Sequence, residues 1–244
     1  MTNTIKKIYA KAIEFLELFI SMSGYVVKHA TIPRTIIMLV MVLFSVYLSV
    51  YQTHNSKLAL IYFIIAEIVY LGFIYLVLPK NGYRKWFIKK WGEEKGFLIY
   101  ETILGVIFFN NGMSIGYFAL ANSGNLFKYI PKIIPDISVY LIAAIMFVVG
   151  YVVKILATKA TTIEIYYWKD MFLGRKTCEF VVAGPYKYLN NPMYGLGQLQ
   201  AYAIAIWYAS AWGLLIALIN QGLVFLFFYT EEKKFIKRVY TKKS

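Results

Sequence analysis

The chain has 244 residues, 60% hydrophobic, 18% aromatic and only 16% charged, with a formal net charge of +14. Soluble globular domains carry about 45–50% apolar and about 25% charged residues, so this composition excludes an ordinary soluble enzyme. The basic excess does not indicate nucleic acid, because the Lys and Arg residues sit between long apolar runs, as in membrane-protein loops. One cysteine, Cys178, excludes an intramolecular disulfide, and two separate histidines, His29 and His54, give no Cys/His metal set.

Residues 1–33 mix Lys6, Lys7, Lys11, Glu14 and Glu17 with Ile8, Ile13, Phe15, Leu16, Leu18, Phe19 and Ile20, without a small-residue cleavage site. This segment reads as an amphipathic helix at the membrane interface, or as a first helix packed on a bundle. A membrane-spanning helix needs about 20 apolar residues. Segments 34–51, 58–78, 97–121 and 137–157 qualify, the first beginning after Pro33 and the second ending at Pro79. The apolar block 195–229 is too long for one span, and splitting it near Ser210–Trp212 gives two short helices in a hairpin. The expected fold is therefore an all-α polytopic transmembrane bundle of five to six spans with a C-terminal helical hairpin.

With the N-terminus placed in the cytoplasm, the inner segments hold 23 Lys and Arg residues and the outer loops only Lys57, Lys128 and Lys132. This asymmetry puts both termini and the 158–194 loop in the cytoplasm. A bacterial cytoplasmic membrane or the endoplasmic reticulum fits such a basic inner face. The expected organisation is a single membrane domain: an interfacial segment 1–33, helices across 34–157, and a catalytic region 158–244.

The stretch Gly184-Pro185-Tyr186-Lys187-Tyr188-Leu189-Asn190-Asn191-Pro192-Met193-Tyr194-Gly195-Leu196-Gly197 precedes the hairpin at the expected membrane interface. Its prolines and glycines suit a shaped turn with close backbone approach to a ligand. Its Asn side chains offer donors and acceptors, and its Tyr side chains offer flat faces with hydroxyls. A hairpin returns the chain to the side it left, so Glu231 and Glu232 come back near this turn. Carboxylates and Tyr faces together suit a ligand with cationic groups and a nucleoside. Taken singly, Glu231 and Glu232 also read as an interfacial pair balancing Lys233 and Lys234, and the turn as a plain loop.

Taken together, these motifs resemble the intramembrane methyltransferases, comprising isoprenylcysteine carboxyl methyltransferases and phospholipid N-methyltransferases. That family shows a Gly-Pro-Tyr-x-Tyr lead, a turn of the Arg-His-Pro-x-Tyr or Asp-Asn-Pro-Met-Tyr type, two short helices, then Glu-Glu and a basic amphipathic tail. The corresponding residues here are Gly184 to Tyr188, Asn191 to Tyr194, Glu231-Glu232 and Phe235 to Tyr240, so the likeness covers roughly 165–240. The resemblance implies an S-adenosylmethionine-dependent methyltransferase. It implies catalytic roles for Tyr194, Asn191 and Glu232, and cofactor contacts from Gly184, Pro185, Tyr186, Asn190, Pro192, Met193, Glu231 and Glu232. Asn190-Asn191 stands where the carboxyl methyltransferase branch has Arg-His. The Asn-Pro-Met-Tyr form is similar to the phosphatidylethanolamine N-methyltransferases, whose acceptor is an amine. The Gly-x-Gly motif which that branch uses for the cofactor has only a partial echo here, at Gly150-Tyr151-Val152.

The implied partners are a membrane lipid substrate and the bilayer, with no nucleic acid; oligomeric state is left open. Rival readings are a prenylcysteine carboxyl or thiol acceptor, an NADPH-dependent sterol-reductase-like enzyme, and a non-enzymatic scaffold binding anionic lipid. Within the spans, Glu67, Asn110, Asn111, Asn220 and Gln221 are functional candidates or interhelical hydrogen-bonding groups. Glu101, Glu164 and Asp170 near the inner interface are candidate headgroup contacts. Cys178 has no histidine in its loop and reads as a structural thiol.

Overall fold

The computed structural model describes residues 3–129, 136–179 and 183–240, and no β-strand occurs among them. Helix α1 covers Asn3–Met22, α2 Ile32–Tyr51, α3 Ser56–Val77, α4 Arg84–Trp91, α5 Glu93–Ala121 and α6 Asp136–Thr161. Two short helices follow, α7 at Ile163–Tyr166 and α8 at Lys169–Leu173. The C-terminal part holds α9 at Leu199–Trp207, α10 at Ala211–Phe227, a π-helical turn at Phe228–Glu232, and α11 at Lys233–Tyr240. Five helices are long and apolar enough to cross a membrane: α2, α3, α5, α6 and the run Ala211–Tyr240. The protein is an integral membrane helical bundle.

Local chemistry sets the ends of these helices. Pro33 sits in the first turn of α2, where its missing N–H costs no hydrogen bond. Asn55 Oδ1 accepts from Leu58 N (3.0 Å) to open α3, and Ser210 Oγ accepts from Gly213 N (3.0 Å) to open α10. The lipid-facing sides are uniformly apolar: Ile36, Leu39 and Leu43 on α2, Ile61, Ile65 and Ile68 on α3, and Leu141, Ile145 and Val148 on α6 are all exposed. In water that would be an aggregation hazard; in a bilayer it is the surface that hydrocarbon covers.

The expected hairpin is present, but its two arms differ. Its turn falls at Tyr208–Ser210, and α9 has nine residues, about 14 Å of helix, which is half a bilayer. The returning arm continues without a break from Ala211 to Tyr240. The Asn-Pro-Met-Tyr turn therefore lies beside the middle of α10 rather than at its end: Gln221 Nε2 donates to Tyr194 O (2.8 Å). Asn125 Oδ1 accepts from Ala211 N, and the Gly124 and Leu126 amides donate to Tyr208 O and Ala209 O, fastening the far end of the hairpin.

The opposite end carries most of the charge. Arg34, buried at the start of α2, donates to Leu98 O (2.6 Å), His29 O (3.1 Å) and Glu101 Oε2 (3.2 Å) on or beside α5. His29 Nδ1 also meets Glu101 Oε2 at 2.7 Å. Gly24 and Gly105 touch backbone to backbone, and a β-carbon on either would overlap the other's carbonyl oxygen. These contacts seat the α1–α2 connection on α5. Helix α1 packs against α6 and α7, with Lys159 Nζ donating to Glu14 Oε2 at 2.7 Å. Ile5, Ile8, Tyr9 and Leu16 stay exposed on α1, so its contact with the bundle comes from its C-terminal half, where Leu18, Phe19 and Met22 join the core.

Candidate active site

The site forms because three backbone irregularities bring distant segments to one place. Thr162 (φ +121°) breaks α6 from α7, and Trp168 (φ +55°) turns the chain back, both left-handed conformations that L-residues rarely adopt. These turns carry Tyr166 and Trp168 to the cavity wall. The π-helical turn at 228–232 adds a residue to the helical repeat just before Glu232, a device often found at functional sites.

The resulting cavity is about 320 Å³ and is walled by α5, α6, α9, α10, the end of α1 and the 166–168 turn. Tyr70, Phe108, Tyr151, Tyr166, Trp168, Tyr186 and Tyr194 line it. Phe108 sits 5.7 Å from both Tyr70 and Tyr166 and 5.8 Å from Trp168, centroid to centroid. Glu232 is the acidic residue on this wall. Tyr194 Oη donates to Glu232 Oε2 at 2.7 Å, and the Trp168 side chain is also hydrogen-bonded to that carboxylate. Burial, reinforced by the adjacent Glu232 charge, pushes the Tyr194 hydroxyl well above its ordinary range, so it remains a donor. The Tyr186 hydroxyl is raised for the same two reasons.

Tyr194 is held at both ends: its carbonyl accepts from Gln221 on α10 and its hydroxyl reaches Glu232 in the π-helical turn, eleven residues further along the Ala211–Tyr240 run, about 16 Å of helix. Lys154, on α6, lines the same cavity and has no carboxylate partner among the described residues. With the Gln200 amide turned so that its oxygen faces the ammonium, the orientation that satisfies both groups, that oxygen accepts from Lys154 Nζ at 2.6 Å. Gly150 and Gly197 permit this pairing. A β-carbon on Gly150 would lie 2.7 Å from Gln200 N, and one on Gly197 would lie 2.7 Å from Lys154 Cγ.

Of the residues expected from sequence, Tyr186, Met193, Tyr194 and Glu232 meet at this cavity. The others shape the turn or face elsewhere. Gly184 (φ +55°) and Pro185 form a 3₁₀ turn against α6. Asn191 Oδ1 accepts from Tyr194 N (3.2 Å), and buried Pro192 accepts from Gly197 N (2.8 Å) through its carbonyl. Asn190 and Asn191 line a separate groove with Tyr202, Gln221 and Phe228. Glu231, one residue before Glu232, is half-buried and outside the cavity wall.

Glu101, Glu164 and Asp170 are bound into structure: Glu101 to His29 and Arg34, Glu164 to Lys28 (2.6 Å), Asp170 to Thr177 and Tyr240. Cys178 is half-buried, 4.0 Å from the Tyr240 hydroxyl. Sequence reasoning missed Lys154, Gln200 and Trp168 as site residues. A lysine inside an apolar span was a signal for the first; the other two carried none.

Fold and cavity together define a polytopic membrane protein in which α1, α5 and the C-terminal helices wall an aromatic-lined chamber carrying polar groups. Residues 138–243 match the family model of phospholipid methyltransferases. No curated protein and no solved structure matches the chain. The matched stretch runs from α6 to the C-terminal tail. It contains Lys154, Tyr186, Tyr194, Gln200 and Glu232, so most of the polar chamber wall lies within the matched stretch.

Proposed function

We propose that the chain transfers a methyl group from S-adenosylmethionine to the amine headgroup of a membrane phospholipid, with the chamber opening toward the cytoplasm. The observation that carries this reading is the Tyr194–Glu232 pair, within the family-matched stretch, facing an aromatic-walled chamber. The chamber wall fits the cofactor. Glu232 suits its α-ammonium or ribose hydroxyls, Lys154 with Gln200 suits its carboxylate, and Tyr and Trp faces suit its sulfonium, a cation–π contact of about 0.5–2 kcal/mol.

When bound, the cofactor supplies an electrophilic methyl group. The protein's own work is then orientation and exclusion of water. Tyr194, fixed by Gln221 and Glu232, sets one wall. Phe108, Tyr166 and Trp168 keep the centre dry. The exposed backbone at Gly112, on the chamber's α5 side, leaves room for a lipid to enter between helices. The apolar, lipid-covered bundle and basic end support the membrane assignment. In this reading the chain divides into an interfacial segment 1–33, helices across 34–157 and a catalytic region 158–244, with Phe108, Tyr151 and Lys154 contributed to the chamber from the helices before it.

The test is lipid mass spectrometry in a host rich in phosphatidylethanolamine and free of its methylated forms. Mono-, di- or trimethylated lipid with the wild-type protein, and none with Glu232→Gln, supports the reading. A folded, membrane-inserted protein that yields no methylated lipid overturns the phospholipid acceptor. It would direct labelling experiments to prenylcysteine and thiol acceptors.

A further inference from the structure

Three buried polar side chains meet near mid-membrane depth, on helices α3, α5 and α10. Asn111 Nδ2 donates to Glu67 Oε1 at 2.9 Å, and Asn220 Nδ2 donates to the same oxygen at 2.6 Å and to Asn111 Oδ1 at 3.0 Å. All three are more than nine-tenths buried. Two of the three helices, α3 and α5, lie outside the family-matched stretch.

The hydrogen-bond inventory of this triad does not balance internally. Both Asn amide nitrogens point at the carboxylate, so the carboxylate fixes which way each amide faces. Among the described residues Glu67 Oε2 is buried without a hydrogen-bond partner, and Asn220 acts as a donor through Nδ2 while its Oδ1 accepts from none of them. Acceptors are in excess, and no Lys or Arg among the described residues pairs with Glu67. A buried carboxylate without a cation, next to an unused carbonyl, is costly in a bilayer unless a donor comes to it.

Asn111 and Asn220 line the same chamber as Glu232. Asn220 and Glu232 are twelve residues apart on one continuous helix, about 18 Å along its axis. The chamber thus extends along this helix from the Tyr194–Glu232 pair to Asn220 and Asn111, with Glu67 behind the two Asn side chains. Tyr70, Phe108 and Trp168 line the same chamber.

We propose that Asn220, oriented by Glu67 and Asn111, is the seat for the methyl acceptor and selects a group that brings its own N–H, a lipid ammonium or amine. This rests on the methyltransferase reading above. Asn220 would touch the substrate, while Glu67 and Asn111 are positioning residues that hold its carbonyl toward the chamber. A carboxylate or thiolate acceptor brings no donor and would meet an acceptor surface, which disfavours it. A trimethylated headgroup has lost its last N–H, so the seat also discriminates against the end product and favours its release.

The experiment is native mass spectrometry of the detergent-solubilised protein with phosphatidylethanolamine against phosphatidylcholine, beside S-adenosylhomocysteine binding by calorimetry. The variants are Asn220→Leu, which keeps the branched heavy-atom shape and removes the hydrogen bonds, and Glu67→Gln, which keeps the shape and replaces the carboxyl by an amide. The wild type is expected to retain the N–H-bearing lipid about tenfold or more over the quaternary one. Both variants are expected to bring the ratio toward one, with S-adenosylhomocysteine affinity within about twofold of wild type. If Asn220→Leu does not fold, Glu67→Gln decides the matter. A variant that still binds S-adenosylhomocysteine and keeps the wild-type lipid ratio overturns the seat and leaves the methyltransferase reading standing. A folded wild type that binds no S-adenosylhomocysteine and methylates nothing overturns that reading, and the seat with it.

Discussion

Replacing Glu232 by Gln keeps the side chain's shape and removes its charge. In the wild type, the Tyr194 hydroxyl donates to Glu232 Oε2 at 2.7 Å, and Trp168 hydrogen-bonds the same carboxylate. A cationic ligand group bound there gains a hydrogen bond to a charged acceptor, a contact of about 1.5–3 kcal/mol. At about 1.4 kcal/mol per tenfold, the substitution should weaken S-adenosylhomocysteine binding by roughly 10- to 100-fold. Glu231→Gln is the matched control, since Glu231 is outside the chamber wall and should change affinity by no more than about twofold. Isothermal titration calorimetry on detergent-purified protein measures both, with a thermal unfolding scan to confirm folding. A folded Glu232→Gln protein of wild-type affinity, or equal losses in the two variants, would refute the assignment of Glu232 as the ligand-facing carboxylate.

Lys154→Met keeps the aliphatic stem that packs beside Gly197 and removes the ammonium that meets Gln200. Affinity for S-adenosylhomocysteine should fall about tenfold or more by calorimetry, while affinity for decarboxylated S-adenosylmethionine, which lacks the anionic group, should change little. A second prediction concerns stability. Burial alone would raise the Glu164 carboxyl, but the hydrogen bond from Lys28, those from its own backbone amide and the Thr162 side chain, and the Lys28 charge together outweigh it and hold it at about 2. The pair's contribution is therefore complete above pH about 4.5 and is lost as pH falls toward 2. Because Lys28 is two-thirds exposed, screening limits that contribution to about 1 kcal/mol. Glu164→Gln should lower the unfolding temperature by about 2–4 °C at pH 7, and the difference from wild type should close in scans below pH about 3.

The sequence by itself determined the membrane character and the positions of the long helices. Apolar runs of this length have no other stable environment, and backbone polar groups in hydrocarbon must be satisfied within the helix. Spans expected at 34–51, 58–78, 97–121 and 137–157 were found at Ile32–Tyr51, Ser56–Val77, Glu93–Ala121 and Asp136–Thr161. The hairpin was legible too, because an apolar block of 35 residues exceeds one crossing. The approach of a C-terminal glutamate to the Asn-Pro-Met-Tyr turn was legible for the same topological reason.

Tertiary structure decided which residues of those motifs face one another. Nothing in the order Glu231-Glu232 distinguishes the two carboxylates; the chamber-facing one is set by helix phase after a π-helical turn. Hydropathy could not show that α9 stops halfway, which places Tyr194 beside Gln221 and leaves a chamber along α10. Nor could it show that Lys154, Trp168, Asn111 and Asn220 share that chamber, with Glu67 hydrogen-bonded behind the two Asn side chains. They come from segments far apart in sequence, and their meeting depends on helix packing across small residues such as Gly150 and Gly197. Periodicity and hydropathy report what surrounds a residue on its own helix. A site is made from what other helices bring to it.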